Sequence, residues 1–402
     1  MELFQQHFLQ ILRGLLHNRP EEIPDSLSPD DWQKLFSLGQ IHKVFPMVYE
    51  AACMKGALQN HPMLASTRRF ALQQVMEQTV KTTEFLALYE SLSRAGISPL
   101  VVKGIVCRSL YPKGDMRPSS DEDLLILPNA VSDCRARLHE LGMVSTENGN
   151  PKEISFRKPG SPLHIELHSS LFPDDQVYGI MNQVFEGIFD RAMTMEVEGI
   201  RLSVPNHTDH LLYLICHSYK HFIHSGFGIR QVCDIMLYAQ AWGHLVDWSR
   251  IIESCRFVRA DVFSAALFRI GVNHLGFNAD ALHIPADWRE MDLCELPLLE
   301  DILQAGVYGG STEARQHSST ITLEAAGAAM HGSTVKRALA SALFPSAAQL
   351  RNRYPYLRKH PWLLPVAWCS RIISYKKGSA VSVEALQTGS GRLKLLEQYH
   401  II

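Results

Sequence analysis

Asp121-Glu122-Asp123 runs straight into Leu124-Leu125-Ile126-Leu127 and stops at Pro128-Asn129. A short apolar run bounded by turn residues reads as a strand buried on both faces. Side chains alternate along a strand, so Asp121 and Asp123 share one side at its polar end and Glu122 takes the other. Two carboxylates held this close repel each other unless a positive charge lies between them. A divalent, oxygen-seeking ion such as Mg²⁺ (or Mn²⁺) meets that need, because it takes one or two protein carboxylates and completes its shell with water and phosphate oxygens. The plain alternative is an acidic turn leading into a strand, and the spacing alone does not choose between them.

The residues upstream add chemistry. Leu100-Val101-Val102 is a second short apolar segment, followed by Lys103-Gly104 and then Ile105 to Tyr111. This order predicts strand, tight turn and helix. A glycine there lets backbone N–H groups approach an anion, and Lys103 adds a formal positive charge. Tyr111-Pro112, Lys113 and Arg117 then lead into Ser119-Ser120 and the Asp-x-Asp pair. In this order the residues resemble the catalytic core of the polymerase-beta-like nucleotidyltransferases. More narrowly, they resemble an uncharacterised bacterial nucleotidyltransferase family whose core reads Lys-Gly, a Tyr-Pro turn, an Arg, and Asp-x-Asp before an apolar strand. Two departures stand out. The residue between the aspartates is usually apolar in such enzymes and here is Glu122, which must find solvent or a basic partner. The Gly-Ser step of better-known relatives is absent, which leaves the phosphate work to Lys103-Gly104.

Further along, Leu163-His164-Ile165-Glu166-Leu167-His168 alternates cleanly, with His164, Glu166 and His168 on one face. A polar face on a central strand costs stability unless it lines a site. The resemblance implies a third carboxylate on a neighbouring strand and places it at Glu166; the competing reading is the solvated face of an edge strand. Hard ions prefer carboxylates to imidazole, so His168 is expected to brace a carboxylate or phosphate. Pro205 to Asp209 supplies cap chemistry for a helix carrying His217, Ser218, Tyr219, Lys220, His221 and His224. His217 and His221 share a face but lack the glutamate beside the first histidine that a zinc protease needs. In related folds a helical domain closes over the nucleotide. The resemblance, which extends to Arg230 and Asp234, thus implies Lys220 at the triphosphate with Ser218 or His221 assisting; a basic exposed helix face is the alternative.

The fold expected is α+β, a small mixed-sheet nucleotidyltransferase core flanked by helical regions. The divisions are a helical region over 1–95, a catalytic core over 96–205, a helical domain over 206–325 and a C-terminal basic and aromatic helical extension over 326–402. Within the last two, the small-residue stretch from Ala314 to about Gly332 reads as a connector, and 378–392 as a loose tail. Gly306 to Thr312 is glycine-rich but follows no clear strand, a weak phosphate-loop signal. The basic, aromatic and proline-rich stretch at 343–377 is read either as a docking surface or as a solvated helix pair packed on the core.

A formal net charge of −2 provides no global field to steer nucleic acid, which is not an expected partner. No apolar run approaches the roughly 20 residues of a membrane helix. Met1 to Gln6 lacks a signal-peptide pattern, and the eight scattered cysteines form no Cys-x-x-Cys pair, so a cytoplasmic setting is expected. The chemistry implied by the resemblance is transfer of a nucleoside monophosphate from a nucleoside triphosphate to a hydroxyl, with release of pyrophosphate. Asp121, Asp123 and Glu166 would hold the metal and act catalytically, with Lys103, Gly104, Arg117, Ser120 and Lys220 holding the nucleotide. The acceptor (a small molecule, a peptide or a protein side chain) is not visible in the sequence. Two other readings remain: a non-catalytic nucleotide- or partner-binding protein that keeps the fold, for which Glu122 speaks, and a zinc hydrolase centred on His217 and His221.

Overall fold

The computed structural model describes residues 1–57, 61–147, 152–175, 177–306, 313–330, 347–351, 354–377 and 381–402. Four helices come first: α1 (Leu3–Leu16), α2 (Pro29–Ile41), α3 (Phe45–Met54) and the long α4 (Met63–Arg94). Ser28 opens α2, its hydroxyl accepting from Asp31 N–H at 3.2 Å while the Asp31 carboxylate accepts from Ser28 N–H.

The chain then builds a five-stranded mixed sheet in the order β1-β2-β5-β4-β3. Strand β1 (Leu100–Val101) is antiparallel to β2 (Glu122–Leu125), and β2 runs parallel to β5 (His164–His168). β4 (Glu153–Arg157) and β3 (Val144–Glu147) complete it in antiparallel pairing. Strand β2 is thus internal, and all four of its residues are buried, the two acids included. It starts two residues earlier than the apolar run, because Glu122 and Asp123 enter the ladder: Asp123 lies beside Glu166 and Glu122 beside Ile165. On β5 the alternation holds, with Ile165 and Leu167 buried and the three polar side chains half-buried on the opposite face. α5 (Ile105–Arg108) follows β1, α6 (Val131–Glu140) follows β2, and α7 (Gly179–Gln183) lies beyond β5. A hairpin of β6 (Met193–Val197) and β7 (Ile200–Val204), not anticipated from sequence, turns at Glu198 and Gly199, both at positive φ.

The remainder is helical: α8 (His207–His224), α9 (Ile229–Trp242), α10 (Trp248–Phe257), α11 (Asp261–Leu275), α12 (Ala286–Arg289), α13 (Leu296–Ala305) and α14 (Glu313–Met330). Asn206 caps α8, its side chain accepting from Asp209 N–H at 2.8 Å. Two expectations are corrected here. The stretch read as a connector is α14, and most of the stretch read as a loose tail belongs to a helix, Val381–Gln398, packed along it. The small residues misled because they serve close packing: Ala325 and Ala326 are fully buried and Gly389 is buried too. This pair also closes off the C-terminal end of α8, whose last carbonyls lack intrahelical partners. Thr322 Oγ donates to Ile223 O, Arg315 Nε to Ser225 O, and Arg392 to the carbonyls of Phe222 and His224.

One apolar core runs from Phe8 to Ile401, and a small second cluster gathers Leu350, Leu357 and Ala367. The glycine-rich stretch past Gly306 and, from the basic and aromatic stretch at 343–377, residues 343–346 and 352–353 lie outside the described residues. Among the described residues no helix is long and apolar enough to cross a membrane.

Candidate active site

The register of β2 against β5 sets Asp123 beside Glu166 on one face, and His168 joins them from the next same-side position on β5. His168 Nε2 lies 3.3 Å from Asp123 Oδ1 and 3.6 Å from Glu166 Oε2. On the other side, Val102 N–H donates to Asp123 O, which carries the chain past Asp123 and delivers Lys103 Nζ to 3.0 Å from Asp123 Oδ2. Burial raises the Asp123 pKa, but the Lys103 charge and the His168 hydrogen bond outweigh it and hold the carboxyl well below the usual range. Burial works against the His168 cation, yet its two carboxylate partners push its pKa up to about 9. His168 is therefore a brace between two acids, as its sequence position implied.

α8 closes the face opposite. Lys103 Nζ donates to His217 Nε2 at 3.2 Å, and His221 Nε2 stands 3.3 Å from the same nitrogen. Burial, reinforced by Lys103 beside His217, holds both imidazoles far below their ordinary pKa, so they sit neutral. Lys220 belongs to this face of α8. Burial lowers its pKa, the nearby Lys103 lowers it further, and Glu153, Asp123 and Glu166 pull the other way. Sequence reasoning saw these three side chains but not that His217 would hold Lys103, because that contact spans 114 positions.

Glu122 faces the opposite side of β2 and solves its burial locally. Its Oε1 pairs with Arg108 at 2.6 Å, and its Oε2 accepts from Ile105 N–H at 2.8 Å. This gives Gly104 a task different from the one expected. The first N–H of α5 goes to Glu122, not outward, and a Cβ on Gly104 would overlap the Glu122 carboxylate. Gly104 is also at φ +55°, a conformation glycine adopts without strain.

The cleft between sheet and helices is lined by Lys103, Gly104, Arg117, Ser119, Asp121 and, from α8 and α9, residues including His217, Ser218, Arg230 and Asp234. Arg117 lines it but is already engaged: its Nε and Nη2 donate to Asp234 at 2.8 and 2.7 Å, with Tyr111 Oη donating to the same carboxylate. The Asp234 charge outweighs the cost of burying Arg117 and raises its pKa well above the ordinary value. Ser120 is exposed at the cleft approach, and the Lys81 ammonium of α4 ties down the carbonyls of Ser119 and Ser120. Ser218 spends its hydroxyl on Leu214 O within α8. Arg230, noted in the sequence only as part of the resemblance, lies in the cleft beside Arg117 because α9 places it four residues before Asp234.

The donor set fits a divalent ion. Asp123, Glu166 and His168 each offer a ligand atom within 4.8 Å of one another, the one such group among the described residues. Asp123 Oδ2 is buried against the Lys103 ammonium at 3.0 Å, and the half-buried Asp121 lies two positions away on the same side of the chain. Among the described residues His217 and His221 belong to no such group, and His217 has the Lys103 ammonium as a neighbour.

No curated protein matches the chain, and no solved structure does. A family profile described as uncharacterised nucleotidyltransferase matches residues 28–271, which span α2 to α11 and hold every residue discussed above for the cleft. That match covers more than half of the 402 residues, and the chain belongs to this nucleotidyltransferase family.

Proposed function

We propose that the protein transfers a nucleoside monophosphate from a nucleoside triphosphate to a hydroxyl acceptor, in a reaction that needs Mg²⁺ or Mn²⁺ and releases pyrophosphate. The observation that carries this reading is the in-register pairing of Asp123 with Glu166, with Asp121 on the same side and Lys103 against Asp123. Asp121, Asp123 and Glu166 would hold the metal. When bound, it would supply Lewis-acid polarisation of the phosphate undergoing attack.

The remaining work falls to side chains of this chain. Glu166 is only half-buried, so it can orient an incoming hydroxyl and accept its proton. His168, bridging Asp123 and Glu166, fixes both carboxylates. Lys103 and Lys220 place positive charge where the phosphate chain would lie, and α8 excludes water from that side. Ser120 and Arg117 border the nucleotide at the cleft approach and wall. Glu122 gave the non-catalytic alternative its support. With Glu122 paired to Arg108 on the far face of β2, the metal-side carboxylates stand undisturbed.

The test is incubation with labelled nucleoside triphosphates, a divalent cation and cell extract, comparing the protein with Asp121→Asn. A labelled product formed by the first and not by the second supports the proposal. Equal labelling, or none, sinks it.

A further inference from the structure

Charge is spread very unevenly along this chain. The 59 residues from Ala325 to Val383 contain nine lysines and arginines and no aspartate or glutamate. The rest holds 30 basic and 41 acidic residues, so the net charge of −2 combines a +9 segment with a −11 remainder. Part of that segment packs by itself: Leu350, Leu357 and Ala367 form a cluster separate from the main core, flanked by Leu363, Leu364 and Trp368. Its apolar pattern is inverted. The small Ala367 is buried, while Trp362, in the turn Pro361–Leu363, is 73% exposed, more than any other large apolar side chain among the described residues. Val366, four positions on in the helix Leu364–Lys377, is 55% exposed. The other five tryptophans are buried or half-buried. Arg358 and Lys359, both exposed, come just before the turn. An exposed indole beside an aliphatic side chain, with cations alongside, is the composition of an interfacial anchor.

We propose that the surface around Trp362 docks the protein on an anionic lipid bilayer. This goes beyond the nucleotidyl-transfer reading and does not depend on it. Trp362 and Val366 enter the headgroup layer, and Arg358 and Lys359 meet the lipid phosphates. Each Lys or Arg that reaches such a surface is worth about fivefold in affinity. A carboxylate nearby would cancel part of that attraction, and the segment carries none. The charge division also orients the molecule, because the surface that attracts the +9 segment repels the −11 remainder. Single-stranded RNA presents the same negative charge, but it is held by rings on which successive bases stack. Here the exposed indole is joined by Val366, which offers a base no face to stack on and which lipid accepts. The pairing of the two side chains favours the bilayer.

The experiment mixes the full chain with vesicles of phosphatidylcholine alone or of phosphatidylcholine with phosphatidylglycerol, and reads binding by flotation and by tryptophan fluorescence. Affinity for the anionic vesicles is expected to exceed that for the neutral ones by about tenfold or more, and to fall as salt rises. Emission should shift to the blue on binding. Trp362→Ser should abolish that shift and weaken binding by about tenfold, and Lys359→Glu should weaken it by at least as much. Met76→Ser, which removes another strongly exposed apolar side chain, 68% exposed on α4, should bind as wild type does. Failure to bind anionic vesicles overturns the proposal, as does Trp362→Ser binding them normally. Equal weakening by Met76→Ser would mark adsorption without a site and overturn it too. Polyuridylate bound more tightly than the anionic vesicles, and released by Trp362→Ser, would reassign the surface to RNA. Should Trp362→Ser fail to melt cooperatively, Lys359→Glu and the comparison of the two vesicles still decide.

Discussion

Glu122 and Gly104 are made for each other: the Glu122 carboxylate lies in the space a Cβ on Gly104 would need, its Cδ within 2.8 Å of that position. From there it takes the first N–H of α5 and pairs with Arg108. Gly104→Ala therefore acts on the fold first. It must displace a buried carboxylate from its cation, a class of change that costs about 3–5 kcal/mol, and it adds strain at a positive φ. The expected outcome is a large fall in thermal midpoint with Mn²⁺ affinity kept in whatever fraction stays folded. A midpoint within a degree of wild type would return Gly104 to the role of a phosphate-binding turn.

How far the sequence reaches is clear from the same strand. The alternation in β2 and β5 is local, so the shared side of Asp121 and Asp123, and of Glu166 and His168, could be read directly. The pairing of Asp123 with Glu166 could not, because it depends on a parallel register between segments about forty positions apart; only the resemblance pointed to it. Glu122 looked like a defect because its partner, Arg108, is brought to it by a turn at Gly104. In α14 and Val381–Gln398, Ala325, Ala326 and Gly389 look like weak structure when read singly. Packed face to face they let two helices approach closely, and no one-dimensional pattern reports that.

Asp121→Asn is the cleaner of the two aspartate tests. Asp123 pairs with the partly buried Lys103, so Asp123→Asn removes a charge partner as well as a ligand. Asp121 is half-buried and makes no ion pair among the described residues. Asp121→Asn is expected to abolish nucleotidyl transfer and weaken Mn²⁺ binding, measured by calorimetry, while the thermal midpoint stays within a few degrees. Retained transfer would remove Asp121 from the site.

His42 makes stability depend on pH. It is fully buried between Leu303 O and Ile229 N–H, and burial lowers its pKa to about 4 despite the hydrogen bond to Leu303. In the unfolded chain the imidazole returns to about 6.5 and takes up a proton more readily. The stabilisation is therefore complete above pH 6.5 and is lost as pH falls from there toward 4. At pH 5 the loss from this residue is about 2 kcal/mol. Denaturant melts at pH 7 and pH 5 should show wild type losing stability between them, and His42→Gln losing measurably less. Equal losses in the two proteins would show that the imidazole is charged or accessible in the fold.

Lys220 decides whether α8 takes part in the chemistry. It follows His217, which holds Lys103, and precedes His221 on the same helical face. Its lowered pKa comes from burial first and Lys103 second, while Glu153, Asp123 and Glu166 draw it back up, so its ammonium sits in the field of these three carboxylates. A surface lysine with no such neighbours would change little when removed, under ~0.5 kcal/mol of stability and nothing in rate. A lysine that neutralises a transferred phosphate in a partly dry cleft is worth at least tenfold in kcat/KM, about 1.4 kcal/mol. Lys220→Ala is expected to keep its midpoint, since it also relieves repulsion with Lys103, and to lose tenfold or more in kcat/KM with Mn²⁺ affinity unchanged. Lys220→Arg should restore part of the rate, because the positive charge returns. Normal kinetics in Lys220→Ala would make α8 a wall of the cleft that positions Lys103 through His217 and leave the nucleotide to the sheet, Lys103 and Arg117.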